Sequence, residues 1–324
     1  MGVSGAVLFV PFYTIVFPLL GHHLEPVQAV QIGILTEIFG FISSTSAFWR
    51  RGLIDVRVAG FALIFAVPTA VLGGYLANRM PGGWLLLAVG GGLLLFAFLL
   101  LRETVASAQA HAGAAGGSAR NESGGMTEHR DRQGRVYRYI LRNDPVRAGA
   151  ATVGGLFQGL VGFAAGELST VEQVLRGMPV RLAAGNAHLV IAGASLSAAV
   201  THLAVVAGEE GATIPWNILA TTVPAVLVGG QIAGFLAGRI PQQTLHVVLA
   251  GFLLFIGALS LYRASVAVDL TLPAWVLLIV LVAVLGLFAL YLLRGIEPRC
   301  KLCHISHRIY GTLTSRTDAG CCGG

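Results

Sequence analysis

The sequence predicts an all-α polytopic membrane protein built from two pseudo-symmetric, inverted helical repeats with broken or re-entrant glycine-rich helices, plus one extra C-terminal span. Three observations carry this. The chain is 55% hydrophobic and only 11% charged, with a mean hydropathy of +0.78, where a soluble domain carries about 25% charge. Uncharged apolar runs recur along it, and landmarks of the first half return in order in the second. The 43 glycines suit close helix approach and helix breaks in a bilayer.

Taken in order, Gly2 to Leu20 is apolar but holds Gly2, Gly5, Pro11 and Pro18, so an unbroken helix is not expected there. Met1 leads straight into GVSGAVLFVP with no basic region and no cleavage site, so no secretory signal is expected. Val27 to Trp49 can cross a bilayer as a helix and contains one ionisable side chain, Glu37. An acidic residue at bilayer depth is disfavoured by roughly 2.5 to 3.5 kcal/mol even on lenient scales, so it faces protein or a wet cavity. Gly33, Glu37, Gly40 and Ser44 recur at helical spacing and form one small, polar face. A protonated, statically hydrogen-bonded Glu37 is the plainer reading of the same pattern.

The basic connection Arg50 to Arg57 leads to spans over Val58 to Asn78 and Gly82 to Leu101, joined at Arg79-Met80-Pro81. Arg102 to Arg147 is polar, without apolar periodicity, and reads as a flexible linker. Ala148 to Leu175 is glycine-rich, with Glu167 and Glu172 near its end, where they read as solvated caps. Spans follow over Leu182 to Ala207, Ile214 to Gly238, Thr244 to Leu261 and Pro273 to Leu293. The expected organisation is a first repeat over 1–102, a cytoplasmic linker over 103–147, a second repeat over 148–262, an additional span over 263–294 and a cytoplasmic tail over 295–324.

The duplication is read from punctuating residues. Pro26, Gly40 and Ser44 match Pro179, Gly193 and Ser197 at an offset of 153. VPTAVLGG from Val67 matches VPAVLVGG from Val223 at 156, and Arg79-Met80-Pro81 matches Arg239-Ile240-Pro241 at 160. Arginines orient the chain: Arg50, Arg51 and Arg57 share a side with the arginine-rich linker, which the positive-inside rule makes cytoplasmic. If Ala148 to Leu175 enters and returns, Arg176, Arg181, Arg239 and the tail fall on that side too and the acidic Gly208 to Gly211 connection on the other, making the repeats inverted. The net charge of +6 therefore reads as topology, not as a nucleic-acid footprint.

GVSGAVLFVP, PVQAVQIGILTEIFGF followed by RRGLID, the VPxxxxGG and R-x-P elements, and GFAAGEL together resemble the sulfite exporter TauE/SafE family of membrane permeases over roughly residues 2 to 262. The resemblance implies a cell-membrane transporter of small anions, often sulfur-containing ones such as sulfite or sulfonates, that is not an enzyme and binds no cofactor. The half-helix that usually leads the first glycine motif is missing here. GELSTVEQVL lacks the proline many relatives carry after GEL, and the last span and tail lie beyond the family's extent.

Broken helices offer an anion free backbone N–H groups and the positive end of the helix dipole. The candidate substrate-binding residues are Ser4 and Gly5 in the first glycine-rich stretch, Gly162, Gly166, Ser169 and Thr170 in the second, and Asn186 beside them. Close packing is the alternative role for the glycines, and an interhelical hydrogen bond for Asn186. Glu37 and His188 are the candidate proton-coupling pair, because the repeat mate of Glu37 is Val190, two residues from His188. Cys300-Lys301-Leu302-Cys303-His304 has the spacing of a haem attachment site, and His307, Cys321 and Cys322 could complete a zinc site with it instead. A cytoplasmic tail favours reduced thiols instead. A membrane redox subunit using those cysteines and the intramembrane histidines is the runner-up function.

Overall fold

The computed structural model describes residues 5–21, 24–113, 126–140, 143–208, 214–237 and 242–268. Ser4, the span from Pro273 to Leu293 and the cysteine-containing tail lie outside the described residues. The elements are α1 (Ala6–Pro11), a π turn (Phe12–Val16), α2 (Phe17–Leu19), α3 (Pro26–Arg51), α4 (Val56–Arg79) and α5 (Gly82–Gly113) in the first half. A two-stranded sheet follows, β1 (Met126–Arg130) and β2 (Val136–Ile140). The second half has α6 (Pro145–Val161), α7 (Ala165–Leu175), α8 (Val180–Gly208), α9 (Trp216–Ala237) and α10 (Gln242–Ala267).

Local chemistry sets the boundaries. Pro26 opens α3, Glu25 and Gln28 form its capping box, and Gly52 closes it in the left-handed region at φ 69° behind Arg50 and Arg51. Asp55 caps α4 by accepting the Arg57 N–H at 2.9 Å. α3, α4, α8 and Leu249–Ala267 of α10 are long and apolar enough to span a bilayer. The first apolar stretch is more continuous than its prolines suggest. It stays helical from Ala6 to Leu19 by widening into a π turn. Pro18 offers no N–H to the carbonyl four residues back, and Arg263 of α10 donates to that carbonyl, on Thr14.

The repeats are inverted, as repeat mates pack antiparallel. Against α5, a methyl at Gly83 would meet Ala267 and Val268, one at Gly90 would meet Leu261, and one at Gly257 would meet Leu93 and Leu94. On α3 and α8, Gly185 faces Phe48 and Thr45 donates to the His188 carbonyl at 3.1 Å. A two-fold axis in the membrane plane relates antiparallel mates, whereas an axis along the normal would make them parallel. α4 packs on α8 and α3 on α9, which are the same contact under that exchange.

The stretch from Pro145 to Leu175 enters and returns. α6 stops at Gly162 (φ 89°), the chain turns through Ala164 at φ 102°, and α7 runs back. Its ends are clamped: Arg176 forks onto Asp144 at 2.7 and 2.9 Å, and Arg147 meets Glu172 at 3.2 Å. Glu172 also pairs with Arg176 at 2.8 Å, so it is a buried ion-pair partner and not a solvated cap. The Arg176 guanidinium, then the Arg147 backbone N–H, holds the Asp144 carboxyl at about 2, against an ordinary 3.8. A carboxyl depressed in the fold stabilises it above the unfolded pKa and stops doing so as pH falls through the folded one. The melting-temperature gap between wild type and Asp144→Asn is therefore expected to hold constant from about pH 5 to 8 and to close between about pH 4 and 2.

Two parts of the polar stretch differ from the linker reading. α5 continues to Gly113, and residues 126–140 form an antiparallel hairpin, so the fold is not purely helical. Asp131 shapes the turn by accepting the backbone N–H groups of Gln133 and Arg135 at 2.9 and 2.8 Å. Tyr139 is buried among Val58, Met178, Leu182 and Ala183. Its hydroxyl donates to Asp55, and burial with that carboxylate pushes its pKa up. His129 Nε2 lies 2.7 Å from the Gly52 carbonyl, and the Arg132 N–H donates to Arg51 at 3.1 Å. The hairpin thus seats on the arginine-rich end of α3 and α4.

Candidate functional site

The two glycine-rich stretches meet. Gly5 starts α1, and a methyl built on Gly162 would lie 3.0 Å from the Ala6 Cβ and 3.3 Å from Ile34. The α6–α7 break is held to the start of α1 and to α3 because no side chain intervenes. Close approach on the other flank is equally severe: methyls at Gly155 and Gly159 would lie 2.3 and 2.0 Å from the carbonyl oxygens of Ala66 and Ala70 on α4. Small residues on both helices bring backbone against backbone, the small-xxx-small packing of membrane helices.

Gln158 occupies the centre of this arrangement and is fully buried. Its Nε2 donates to the Gly162 carbonyl at 2.8 Å and to Ser195 Oγ at 3.0 Å, and lies 3.5 Å from Glu37 Oε2. Its Oε1 accepts the Ala165 N–H at 3.2 Å. Because a carbonyl only accepts and an N–H only donates, these two backbone partners fix which end of the amide is oxygen. Four elements therefore converge on one side chain: α3 through Glu37, α7 through Ala165, α8 through Ser195, and α6 itself. Glu167, buried at 2% exposure, accepts the Ala164 N–H at 3.0 Å, so the two N–H groups at the head of α7 are held by internal oxygens.

The remaining candidate residues fall on two levels. Gly166 is buried in the first turn of α7. Ser169 accepts from Gln173 Nε2 at 2.8 Å. The Thr170 hydroxyl is buried with no hydrogen-bond partner among the described residues, the kind of orphaned donor a ligand satisfies. Asn186 lies nearer the arginine-rich end: its Oδ1 accepts the Asp55 N–H at 2.7 Å and its Nδ2 donates to Gln173 Oε1 at 2.9 Å. Asn186 thereby ties three elements together. Ser169, Gln173, Asn186, Asp55 and Tyr139 form one hydrogen-bonded chain from α7 to the hairpin.

Glu37 and His188 have different surroundings. His188 Nδ1 lies 2.7 Å from the Ala184 carbonyl, with its ring 5.2 and 4.6 Å from those of Phe41 and Phe48. His188 sits level with Thr45, eight residues along α3 from Glu37, roughly 12 Å of helix. Crossing antiparallel helices separate residues that the repeat offset makes neighbours in number, because the exchange centre lies at neither one. A second buried relay runs Gln31 to Asn78 (2.9 Å), Asn78 to His202 (2.7 Å) and His202 to the Gly159 carbonyl (3.1 Å).

Gln158 was the residue sequence reasoning missed. Its signal is an amide inside the small, apolar run GGLFQGLVG, a polar group that has to be satisfied at bilayer depth. A cavity of about 1130 Å3 between α1, α9 and α10 is lined by Phe9, Phe12, Phe17 and Phe252 with Thr221 and Thr222. Its aromatic walls offer an anion no charge.

The family model of the sulfite exporter TauE/SafE matches residues 1–260. Comparison with curated proteins and with solved structures yields no match.

Proposed function

The chain belongs to the sulfite exporter TauE/SafE family, and from that membership we propose that it is a multi-pass cell-membrane permease carrying a small sulfur-containing anion, sulfite or an organosulfonate, in a proton-linked cycle. The observation that supports the reading most is the break between α6 and α7 lying against the first residues of α1 inside an inverted repeat, with Gly162 against Ala6. Helix starts of this kind present backbone N–H groups and positive dipole ends without a standing cation, so an anion is held and also released. The anion path runs past Gly5, Gly162 and Gly166, with Thr170 supplying a hydroxyl that has no partner among the described residues. Ser169 and Asn186 brace that path through Gln173.

Glu37 is the proton carrier in this reading. It is 2% exposed on a helix long enough to span the bilayer and close to the break through Gln158. His188, packed between two phenylalanine rings, is left a structural part. The test is flux into proteoliposomes of sulfite, thiosulfate, methanesulfonate and acetate, with a pH gradient imposed and then abolished. Sulfur oxyanions are expected to move at least tenfold faster than acetate, driven by the gradient. Glu37→Gln is expected to abolish the gradient's effect, whereas His188→Gln keeps it. Equal flux of all four anions, or a gradient response surviving in Glu37→Gln, overturns the assignment.

A further inference from the structure

Resting on that reading, we propose that Gln158 is the coupling element: its side-chain amide turns over when Glu37 takes a proton, and the turned amide binds the anion jointly with the Ala165 N–H. As the structure stands, the amide is internally satisfied. Its oxygen covers the Ala165 N–H, and its nitrogen donates to Gly162 and Ser195 and faces Glu37 Oε2 at 3.5 Å. That amide nitrogen has two hydrogens and three oxygens around it, so the longest contact, to Glu37, is the one least served.

Protonation changes the chemistry on the Glu37 side. A carboxylate only accepts, and faces an amide N–H2. A carboxylic acid carries an O–H that donates, and the same amide's oxygen becomes an acceptor facing it once the amide rotates by half a turn. The proton comes from the aqueous phase, joins one Glu37 oxygen, and no other bond is made or broken. Rotation removes Oε1 from the Ala165 N–H and swings Nε2 towards it, and it also sets Oε1 against the Gly162 carbonyl that Nε2 served, so the turned amide gives up both backbone bonds and is populated only when the Glu37 O–H and an anion together offset them. Two donors then face one another at the head of α7, where the helix dipole is positive. Without an acceptor between them that arrangement is unfavourable, and an anion oxygen is such an acceptor.

A proton on Glu37 and an anion at Ala165 therefore each require the other. The turned amide without an anion leaves two buried donors unpaired. An anion arriving at the unturned amide meets its oxygen, which repels it. This is thermodynamic linkage through one side chain, and it predicts one proton moved with each anion, in the same direction. The ionisable side chains on neighbouring elements are otherwise engaged: Glu167 of α7 on the Ala164 N–H, and His188 and His202 of α8 on the carbonyls of Ala184 and Gly159.

The experiment measures proton and anion flux together in proteoliposomes, using methanesulfonate because it stays fully ionised and carries no proton of its own. Wild type is expected to move about one proton per anion. Gln158→Asn, whose amide is one methylene shorter and reaches only one end of the network, and Gln158→Met, which has none, are expected to lower that ratio at least tenfold. A wild-type ratio in either variant sinks this inference and leaves the permease reading intact. Absence of anion flux from wild type sinks the permease reading instead. Infrared difference spectra of the folded wild type, with isotopically labelled glutamine, decide the point whatever the variants' folding. A side-chain carbonyl band that shifts as pH falls from 8 to 5, and stays still in Glu37→Gln, supports the turnover. A band that stays still in wild type overturns it.

Discussion

Gly159→Ala is expected to yield no folded transporter, because the added methyl runs into helix backbone. A Cβ there would lie 2.0 Å from the Ala70 carbonyl oxygen and 2.6 Å from the Gly74 nitrogen, both backbone atoms of α4. Side chains relieve an overlap by changing rotamer, but a helix backbone does so only by moving as a body. A Cβ on Gly155, one turn earlier, would lie 2.3 Å from the Ala66 carbonyl oxygen, and one on Gly73 of α4 2.1 Å from that of Leu156. Any shift that frees one contact opens the whole seam. Overpacking of a core costs about 1–3 kcal/mol when neighbours can adjust, so a rigid seam places this substitution above that range. The separation also moves Gln158, adjacent in the chain, away from Ser195 and Glu37.

The controls lie on the same two helices. Gly149 of α6 and Gly60 of α4 have open space where a methyl would go. Alanine is the better helix former by about 1 kcal/mol, so Gly149→Ala and Gly60→Ala are expected to be neutral or slightly stabilising. Thermal unfolding of detergent-purified protein and size-exclusion profiles separate the cases. Gly159→Ala should elute as aggregate where the controls elute and melt like wild type. A wild-type melting temperature for Gly159→Ala would mean that α4 and α6 do not touch in this way.

The duplication was legible because its markers act locally. Pro68 with Gly73-Gly74 and Pro224 with Gly229-Gly230 mark corresponding places in α4 and α9 whatever surrounds them. The return of Ala148 to Leu175 was legible through arginine placement, and Asp144 and Arg176 meeting at its ends agree with it. The hairpin was not legible. Tyr137 and Tyr139 alternate with exposed Arg138, but three residues of alternation amid charged ones carry meaning only against the pocket of Val58, Met178 and Leu182 that they fill.

The candidate site was legible in its glycines and not in its wiring. The break at Gly162 follows from composition. Which polar side chain serves the freed backbone does not, because the partners Gln158, Ser195 and Glu37 lie far apart in sequence. Depth was the other missing quantity. Spacing along one helix gives depth to within a turn, but pairing Glu37 with His188 needed the crossing point of α3 and α8, which rests on contacts such as Thr45 with His188.

Arg147→Met is expected to destabilise the protein by about 3 kcal/mol and to abolish transport. Arg147 and Glu172 are 3% and 7% exposed along their side chains, and removing one partner of a buried pair costs about 3–5 kcal/mol because the other charge stays buried without it. Glu172 keeps Arg176 at 2.8 Å, which places the loss at the low end. The pair joins the start of α6 to the end of α7, so losing it lets the re-entrant hairpin spread from its open side and slackens the break at Gly162. Replacing both charges removes the stranded one, and Arg147→Met with Glu172→Met together is expected to melt above Arg147→Met alone and to regain part of the flux. Arg138 and Glu128 supply the contrast. They meet at 2.7 Å but are 64% and 57% exposed, so Arg138→Ala is expected to change stability by no more than about 1 kcal/mol. If the double variant melts no higher than Arg147→Met, the stranded charge is not what destabilises the single variant, and the re-entrant hairpin is held by packing around Gly154 and Ala165 instead.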